Sequence, residues 1–325
     1  MKKNKILPFV SVCTPTFNRR PFYEMLIKCF LSQTYPLDRI EWIIIDDGTD
    51  KIEDLVKDIP QVKYYKYDEQ LNLGKKRNIM HEKTKGDIIV YMDDDDFYPP
   101  ERISHAVDTL IKNPSFLIAG SSEMYIYFKH IDKLYQFGPY GINHSTAATF
   151  AFRRELLTQT SYSNDAALAE EKYFLKDYKI PLIQLDPVKT ILVFSHIHNS
   201  FDKKELLKQP EGQYMKMSSK SINDFIKDED IKDFFINKMD KLLQHYNPGK
   251  IENKPEVLKQ IMDIKEKKNK IIQDTIVQNI DTLNYKFIEM EKKMENKNSL
   301  IQILMRDNVE MKKRIKTLED LTLTI

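Results

Sequence analysis

The run Tyr91-Met-Asp-Asp-Asp-Asp96-Phe-Tyr98 sets four carboxylates side by side. It continues from Asp87-Ile-Ile-Val-Tyr-Met92, an apolar stretch that reads as a buried β-strand. Carboxylates clustered at a strand end attract a cation. Hard oxygen donors suit Mg²⁺ or Mn²⁺, ions that commonly arrive with phosphates. An acidic run at an arbitrary position is more often a solvated loop. This one follows an apolar strand directly, and open α/β sheets bind ligands outside the carboxyl ends of their strands.

Three further stretches fall at junctions on the same expected edge: Thr14-Pro-Thr-Phe-Asn-Arg19, Asp46-Asp47-Gly48 and Asn72-Leu-Gly74-Lys-Lys-Arg77-Asn78. Each alone is weak. Asp-Asp-Gly is a common turn, and Lys75-Lys76-Arg77 reads equally as a solvated helix face. Together, Thr14, Thr16, Asp47, Arg77 and the Asp run outline a crevice with room for a base, a ribose and a metal-bridged diphosphate. The GxGxxG and Walker sequences are absent, so neither a Rossmann dinucleotide site nor a P-loop is expected.

The elements that must position these residues alternate. Strands are expected at Pro8–Thr14, Glu41–Asp46, Val62–Tyr67 and Asp87–Met92, with helices at Arg20–Gln33, Lys51–Asp58, Lys75–Lys83 and Pro100–Ile111. This order predicts an α/β fold with an open, mostly parallel sheet. Later strands are expected at Phe116–Phe128, Leu134–Phe137, Ser145–Phe152, Pro181–Leu185 and Thr190–His196. Those between 116 and 152 have a hairpin-like pattern, an antiparallel addition with turn residues Gly138, Pro139, Gly141 and Asn143. From about 202 to 246, Ile231, Phe234, Phe235, Met239, Leu242, Leu243 and Tyr246 fall at helical spacing, ended by Asn247-Pro-Gly249.

After a Lys-rich hinge, Ile276, Ile280, Leu283, Phe287, Met290, Met294, Ile301, Leu304, Met311, Ile315 and Leu318 step by three and four. Ile280, Ile301 and Ile315 take position a of a heptad, and Leu283, Leu304 and Leu318 position d. Asn308 at an a position would fix register. The pattern predicts a parallel coiled-coil dimer; a single amphipathic helix packed on the globular part is the alternative. The expected organisation is 1–200 for the sheet domain, 201–250 for a helical extension and 251–325 for the long helix.

Composition narrows the partners. Among 325 residues, 31% are charged, yet the formal net charge is only +2. No bulk electrostatic case for nucleic acid follows. Hydrophobic residues at 41% support a core, while a mean hydropathy of −0.52 marks part of the chain as very polar. The two cysteines, Cys13 and Cys29, form neither a disulfide framework nor a zinc spacing. No run of roughly 18 apolar residues exists, so no membrane span is expected. Residues 1–13 read as a first strand rather than a signal peptide, since Pro8 breaks a short apolar stretch that lacks a small-residue cleavage site. A cytoplasmic location is the default expectation.

Five of these motifs, in order and spacing, resemble the family 2 glycosyltransferases of GT-A fold: Val10–Arg19, Ser32-Gln-Thr-Tyr35, Glu41–Gly48, Asn72-x-Gly-x-x-Arg-Asn78 and Gly86–Asp96. The resemblance covers about residues 8–200. It implies that Thr14, Pro15 and Thr16 line the base and ribose, with Asn18 and Arg19 in the same motif. Asp47, beside Asp46, would hydrogen-bond a uracil. Arg77, from the motif containing Gly74, would lie near the nucleotide. The family's Asp-x-Asp falls on Asp93 and Asp95, with Asp94 between them and Asp96 after. Asp93 would contact the ribose side and Asp95 would ligate the divalent ion, directly or through water, with Asp93 a further candidate ligand.

Inverting members carry an acidic pair, usually Glu-Asp, whose second member is the base. Here the sequence is Glu170-Glu171. Glu171 is the candidate and Glu170 the alternative, while an acidic first helical turn has a bland explanation in the helix dipole. Some proteins of this fold complete the metal shell with a histidine from the region of His196-Ile-His198. Strand alternation would place both on one face, and His198 is the candidate ligand. The implied activity is metal-dependent inverting transfer of a sugar from a nucleoside diphosphate, UDP above others, to a hydroxyl of a glycan, protein or lipid. Residues Ser121–Phe152 would shape the acceptor pocket. The rival readings are a non-catalytic scaffold dimerised by the coiled coil, and a nucleotidyltransferase on a similar fold.

Overall fold

The computed structural model describes residues 7–208 and 210–322, with side chains described through 317. It divides into a unit ending at Ile261 and a second from Met262.

In the first unit, strands β1 (Val10–Thr16), β2 (Ile40–Asp46), β3 (Val62–Lys66) and β4 (Ile88–Tyr91) alternate with helices α1 (Arg20–Leu31), α2 (Glu53–Val56), α3 (Leu73–Lys83) and α4 (Arg102–Lys112). β5 (Ile118–Gly120), β6 (Met124–Phe128), β7 (Lys133–Phe137), β8 (Ala151–Arg153), α5 (Glu171–Phe174), β9 (Leu182–Gln184), β10 (Val193–Ser195) and β11 (Met215–Met217) follow. Short helices α6 (Ile222–Phe225), α7 (Glu229–Asp233) and α8 (Met239–Gln244) lead to α9 (Pro255–Thr322).

Seven strands make one sheet in the order β3-β2-β1-β4-β8-β5-β9. The first four pair in parallel, and β8 runs antiparallel to β4 and β5. This is the open, mostly parallel sheet expected. The chain leaves β1 toward β2 and β3, then returns to place β4 on the other side of β1. The carboxyl ends of β1 and β4 therefore flank the switch point, where such sheets open a crevice.

β2 is buried throughout. Its alternate side chains serve two cores, as in a sheet covered on both faces. Trp42 and Ile44 pack with Phe22, Leu26 and Phe30 of α1. Ile43 and Ile45 pack with Met80, Phe150, Phe152 and Phe174. Trp42 stacks on Phe30 at 4.3 Å, and its indole N–H donates to Thr14 Oγ1 at 2.9 Å. Arg102 donates to the Tyr91 and Phe150 carbonyls at 3.1 and 2.8 Å, pinning the strand end that carries the Asp run.

Two expected elements differ. The long strand 116–128 is broken into β5 and β6, and β6 joins a separate four-stranded sheet, β10-β6-β7-β11. Its hairpin turns at 129–132, with Asp132 left-handed at φ 49°, rather than around Gly138–Asn143. The strand expected at Ser145–Phe152 survives only as β8. Thr149 Oγ1 donates to the Thr146 carbonyl and accepts the Ser121 N–H, so a 3₁₀ turn replaces extended chain there.

The second unit, taken by itself, is the continuation of α9. Ile276, Ile280, Leu283, Phe287, Met290, Met294, Ile301, Leu304, Met311 and Ile315 are each at least 50% exposed. A lone chain leaves that seam in water. Leu318 lies outside the described side chains. Among the described residues no helix is long and apolar enough to cross a membrane.

Candidate active site

The four aspartates of the run have four different environments. Asp93 faces Arg77 at 3.4 Å. Asp94 and Asp95 flank the Arg19 guanidinium at 3.6 and 3.4 Å. Asp96 turns inward, and its Oδ1 accepts the Phe194 N–H at 3.1 Å, tying the loop to β10. Burial raises Asp93, and it pushes Asp94 up to about 7 against the pull of Arg19. Burial and then the Asp95 charge raise Asp96 well above the carboxylate range. Burial opposes ionisation of Asp95 too, but the His196 hydrogen bond and then Arg19 overcome it and hold Asp95 well below that range. Asp95 is thus the member of the run most strongly committed to its charge.

The histidine at Asp95 is His196, whose Nε2 lies 3.2 Å from Oδ2. The expected alternation with His198 fails because β10 stops at Ser195 and residues 196–199 form a turn closed by the Asn199 N–H on the His196 carbonyl. The His198 ring is buried beside Gly249 and Tyr246, with both nitrogens unpartnered among the described residues. Its carbonyl accepts from Arg19 at 2.7 Å.

Arg77 is the keystone of the opposite wall. It is buried, with its guanidinium over the Tyr91 ring at 4.4 Å. Nε donates to Glu170 Oε1 at 2.8 Å, and Nη2 reaches Asp93. Nη1 has no partner. A buried guanidinium nitrogen without an acceptor is costly, and this residue lines the cleft.

That cleft has a volume of about 160 Å³. Of the residues expected in the site, Pro15, Arg19, Arg77, Asp93, Asp94 and Asp95 line it. Glu170, Glu171 and His198 are not among its lining residues, and Thr14, Thr16, Asn18, Asp46, Asp47 and Gly74 stand behind the wall. Thr14 Oγ1 donates to the Met92 carbonyl at 2.6 Å, joining the ends of β1 and β4. Thr16 is buried beside Tyr23 and Asp94. Asn18, left-handed at φ 53°, accepts the Asp50 N–H at 2.8 Å and donates to the Pro248 carbonyl at 3.0 Å. Asp46 closes its own turn, accepting from Gly48 N, Ile52 N and Tyr64 Oη. Asp47 has a fully buried side chain that accepts from Lys76 Nζ at 2.5 Å and Leu71 N–H at 2.6 Å. It holds two cleft-lining residues and does not face the cleft itself.

Gly74 also works from behind. Its N–H donates to the Ala166 carbonyl at 2.8 Å, and an added Cβ would lie 2.0 Å from the Ser163 carbonyl oxygen. Backbone cannot yield as a side-chain end can. Gly74→Ala is expected to cost about 1–3 kcal/mol through overpacking, which thermal melting should report as a drop of roughly 2–4 °C per kcal/mol. An unchanged melting temperature would mean that the 163–166 loop moves freely.

Glu170 and Glu171 follow Ala169, which is left-handed at φ 52°. Glu170 is committed to Arg77. Glu171 opens α5, half-buried, and forms no ion pair among the described residues. Burial, then the neighbouring Glu170 charge, pushes it up to about 7. A carboxyl tuned to that range has the affinity a general base needs.

Several cleft residues escape a reading of local motifs. Phe17 presents its ring to the cleft, with Lys76 and Lys254 ammonium groups 5.7 and 5.8 Å from its centroid. Lys254, Glu256 and Val257 enter from the far end of the unit. The signal for Lys76 was present in the Lys-Lys-Arg run, but it reads as a solvated face; Lys75 is exposed while Lys76 and Arg77 are buried.

Among the described residues no three His, Cys, Asp or Glu side chains form a preassembled metal cage. The donors present still suit a hard divalent ion. Asp95 keeps its charge, Asp93 adds a carboxylate, and burial holds His196 neutral at about 3. Mg²⁺ and comparable ions take one or two carboxylates, with water and substrate phosphates supplying the rest.

Residues 11–164 match the family model described as Glycosyl transferase family 2. An uncharacterized glycosyltransferase of Rickettsia typhi is 32% identical over 113 residues, covering 34% of this chain and 35% of the relative. The glucosyl-dolichyl phosphate glucuronosyltransferase of Haloferax volcanii is 30% identical over 117 residues, covering 35% of this chain and 37% of the relative. The match thus spans little more than a third of either relative. Among solved structures, S. aureus TarS 1-349 in complex with UDP-GlcNAc overlays with a TM-score of 0.48 at 17% identity, over 77% of this chain and 78% of that one. Residues 11–164, which carry the Asp run, Arg77 and the loop from β1, are thus the part of the chain that matches glycosyl transferase family 2.

Proposed function

We propose that this chain is a glycosyltransferase that moves a sugar from a nucleoside diphosphate donor, UDP-linked, to an acceptor hydroxyl with inversion. The observation that carries the reading is the convergence of Asp93, Asp94, Asp95 and Arg77 on one cleft at the switch point, inside a family 2 segment. Pro15 and Phe17 offer the apolar surface for the base. Asp95 and Asp93 would hold Mn²⁺ or Mg²⁺, with His196 orienting Asp95. The ion would stabilise the charge of the departing diphosphate. Arg77, fixed by Glu170, would add its positive charge on the same side. Glu171 accepts the proton of the acceptor hydroxyl as that oxygen attacks, and residues 121–152 shape the acceptor side.

Calorimetric titration with UDP tests the donor site. One UDP should bind per chain, more tightly with Mn²⁺ than with chelator. Binding of equal strength in both would remove the metal from the reading.

The exposed seam of α9 supports a parallel dimer through a coiled coil. Sedimentation equilibrium should give twice the mass of a 38.5 kDa chain, and Ile301→Lys with Leu304→Lys should return it to the monomer. A wild-type monomer would contradict the dimer.

A further inference from the structure

Lys254 lies outside the family segment, at the junction between a 3₁₀ turn and α9, yet it lines the same cleft as Arg19, Arg77 and the Asp run. It is only 8% exposed. Its ammonium donates to Ser200 Oγ at 3.1 Å and lies 5.8 Å from the Phe17 ring centroid. It forms no ion pair among the described residues. Burial makes that ammonium costly, and the Asp94 and Asp95 charges offset the cost only in part, so an arriving anion would hold it. Arg19 and Arg77 bring further positive charge to the same cleft. Glu256, the acidic residue this segment brings to the cleft, is exposed.

The segment carrying Lys254 is fastened to the site at several points. Asn18 Nδ2 donates to the Pro248 carbonyl at 3.0 Å, and Arg19 Nη1 to that of Gly249 at 3.4 Å. Gln70 Nε2 donates to the Asn253 carbonyl at 3.3 Å. On the first turns of α9, Gln260 Oε1 accepts the Ala167 and Leu168 N–H groups at 2.9 and 3.2 Å, and its Nε2 donates to the Asp165 carbonyl at 2.7 Å. One stretch thus holds both the cleft rim and the loop leading to Glu170 and Glu171.

Resting on the nucleotide-sugar reading, we infer that Lys254 is a phosphate-binding residue, and that residues 248–260 complete the donor site by setting its ammonium against the diphosphate. The anion is the diphosphate rather than the base or ribose, because the cleft is also lined by the Arg19 and Arg77 guanidiniums and the carboxylates that act on Lys254 are Asp94 and Asp95 of the run assigned to the metal.

The test is calorimetric titration of full-length Lys254→Met and Lys254→Arg with UDP and with uridine, in Mn²⁺, beside thermal melting of the free proteins. Met matches the stem and removes the charge. UDP affinity should fall about tenfold or more in Lys254→Met and stay within about threefold of wild type in Lys254→Arg, with uridine unmoved in both. The free Lys254→Met protein should melt no lower than wild type, since it sheds a buried charge. Wild-type UDP affinity in Lys254→Met, or equal losses for UDP and uridine, would overturn the inference while leaving the nucleotide reading intact. Equal losses in the Met and Arg variants would overturn it too, by making the role one of packing. Failure of the wild type to bind UDP would overturn both.

Discussion

Glu171→Gln should lose about 10²- to 10⁴-fold in sugar transfer, the range a positioned general base contributes, while binding UDP as the wild type does. The substitution keeps the shape and removes the basic oxygen. The geometry separates this residue from its neighbour. Glu170 is held by Arg77 at 2.8 Å, so its charge serves to aim the guanidinium. Glu171 has no such cation and is pushed up to about 7 by burial and by Glu170. Only the deprotonated form accepts a proton, so kcat/KM for the wild type should rise with pH through about 7 and level off above it. The pH limb should vanish in Glu171→Gln. Full transfer in that variant would exclude Glu171 as the base and move the test to Glu170→Gln, whose loss would otherwise come with weakened donor binding through Arg77.

Asp95→Ala should give the opposite dissociation. Transfer should be abolished, and Mn²⁺-dependent UDP binding should weaken by more than the about 10- to 100-fold typical of losing a group one step removed from a metal. Asp95 earns this expectation because His196 and Arg19 keep it ionised where burial raises Asp93, Asp94 and Asp96. Asp96→Asn is the control, since its carboxylate serves the Phe194 backbone and not the cleft. UDP titrations of both variants with Mn²⁺ and with chelator separate the two roles. Unchanged metal dependence in Asp95→Ala would move the ligand role to Asp93.

The parallel core was legible because its signals are local. Trp42-Ile-Ile-Ile45 can only be a strand covered on both faces, and the Asp run announces where β4 stops. Roles within the site were less legible, because burial and pairing are settled by tertiary structure. Asp47 looks like a turn residue that could face a ligand, yet Lys76 and Leu71 consume its oxygens. His198 looks like the better ligand only while β10 is assumed to run on; the turn at 196–199 brings His196 to Asp95 instead. Lys254 carries no local signal at all. It sits in a Lys-rich stretch that reads as solvated, and contacts across 230 residues, such as Asn18 with Pro248, draw its segment to the cleft.

The measurement that bears most directly on the account is UDP release from a panel of UDP-sugars by the full-length chain, with Mn²⁺ and with chelator, in wild type and Glu171→Gln. Turnover of at least one UDP-sugar by the wild type is expected, lost on chelation and greatly reduced in the variant. Turnover that survives chelation, or no turnover of any sugar nucleotide alongside intact folding, would contradict it.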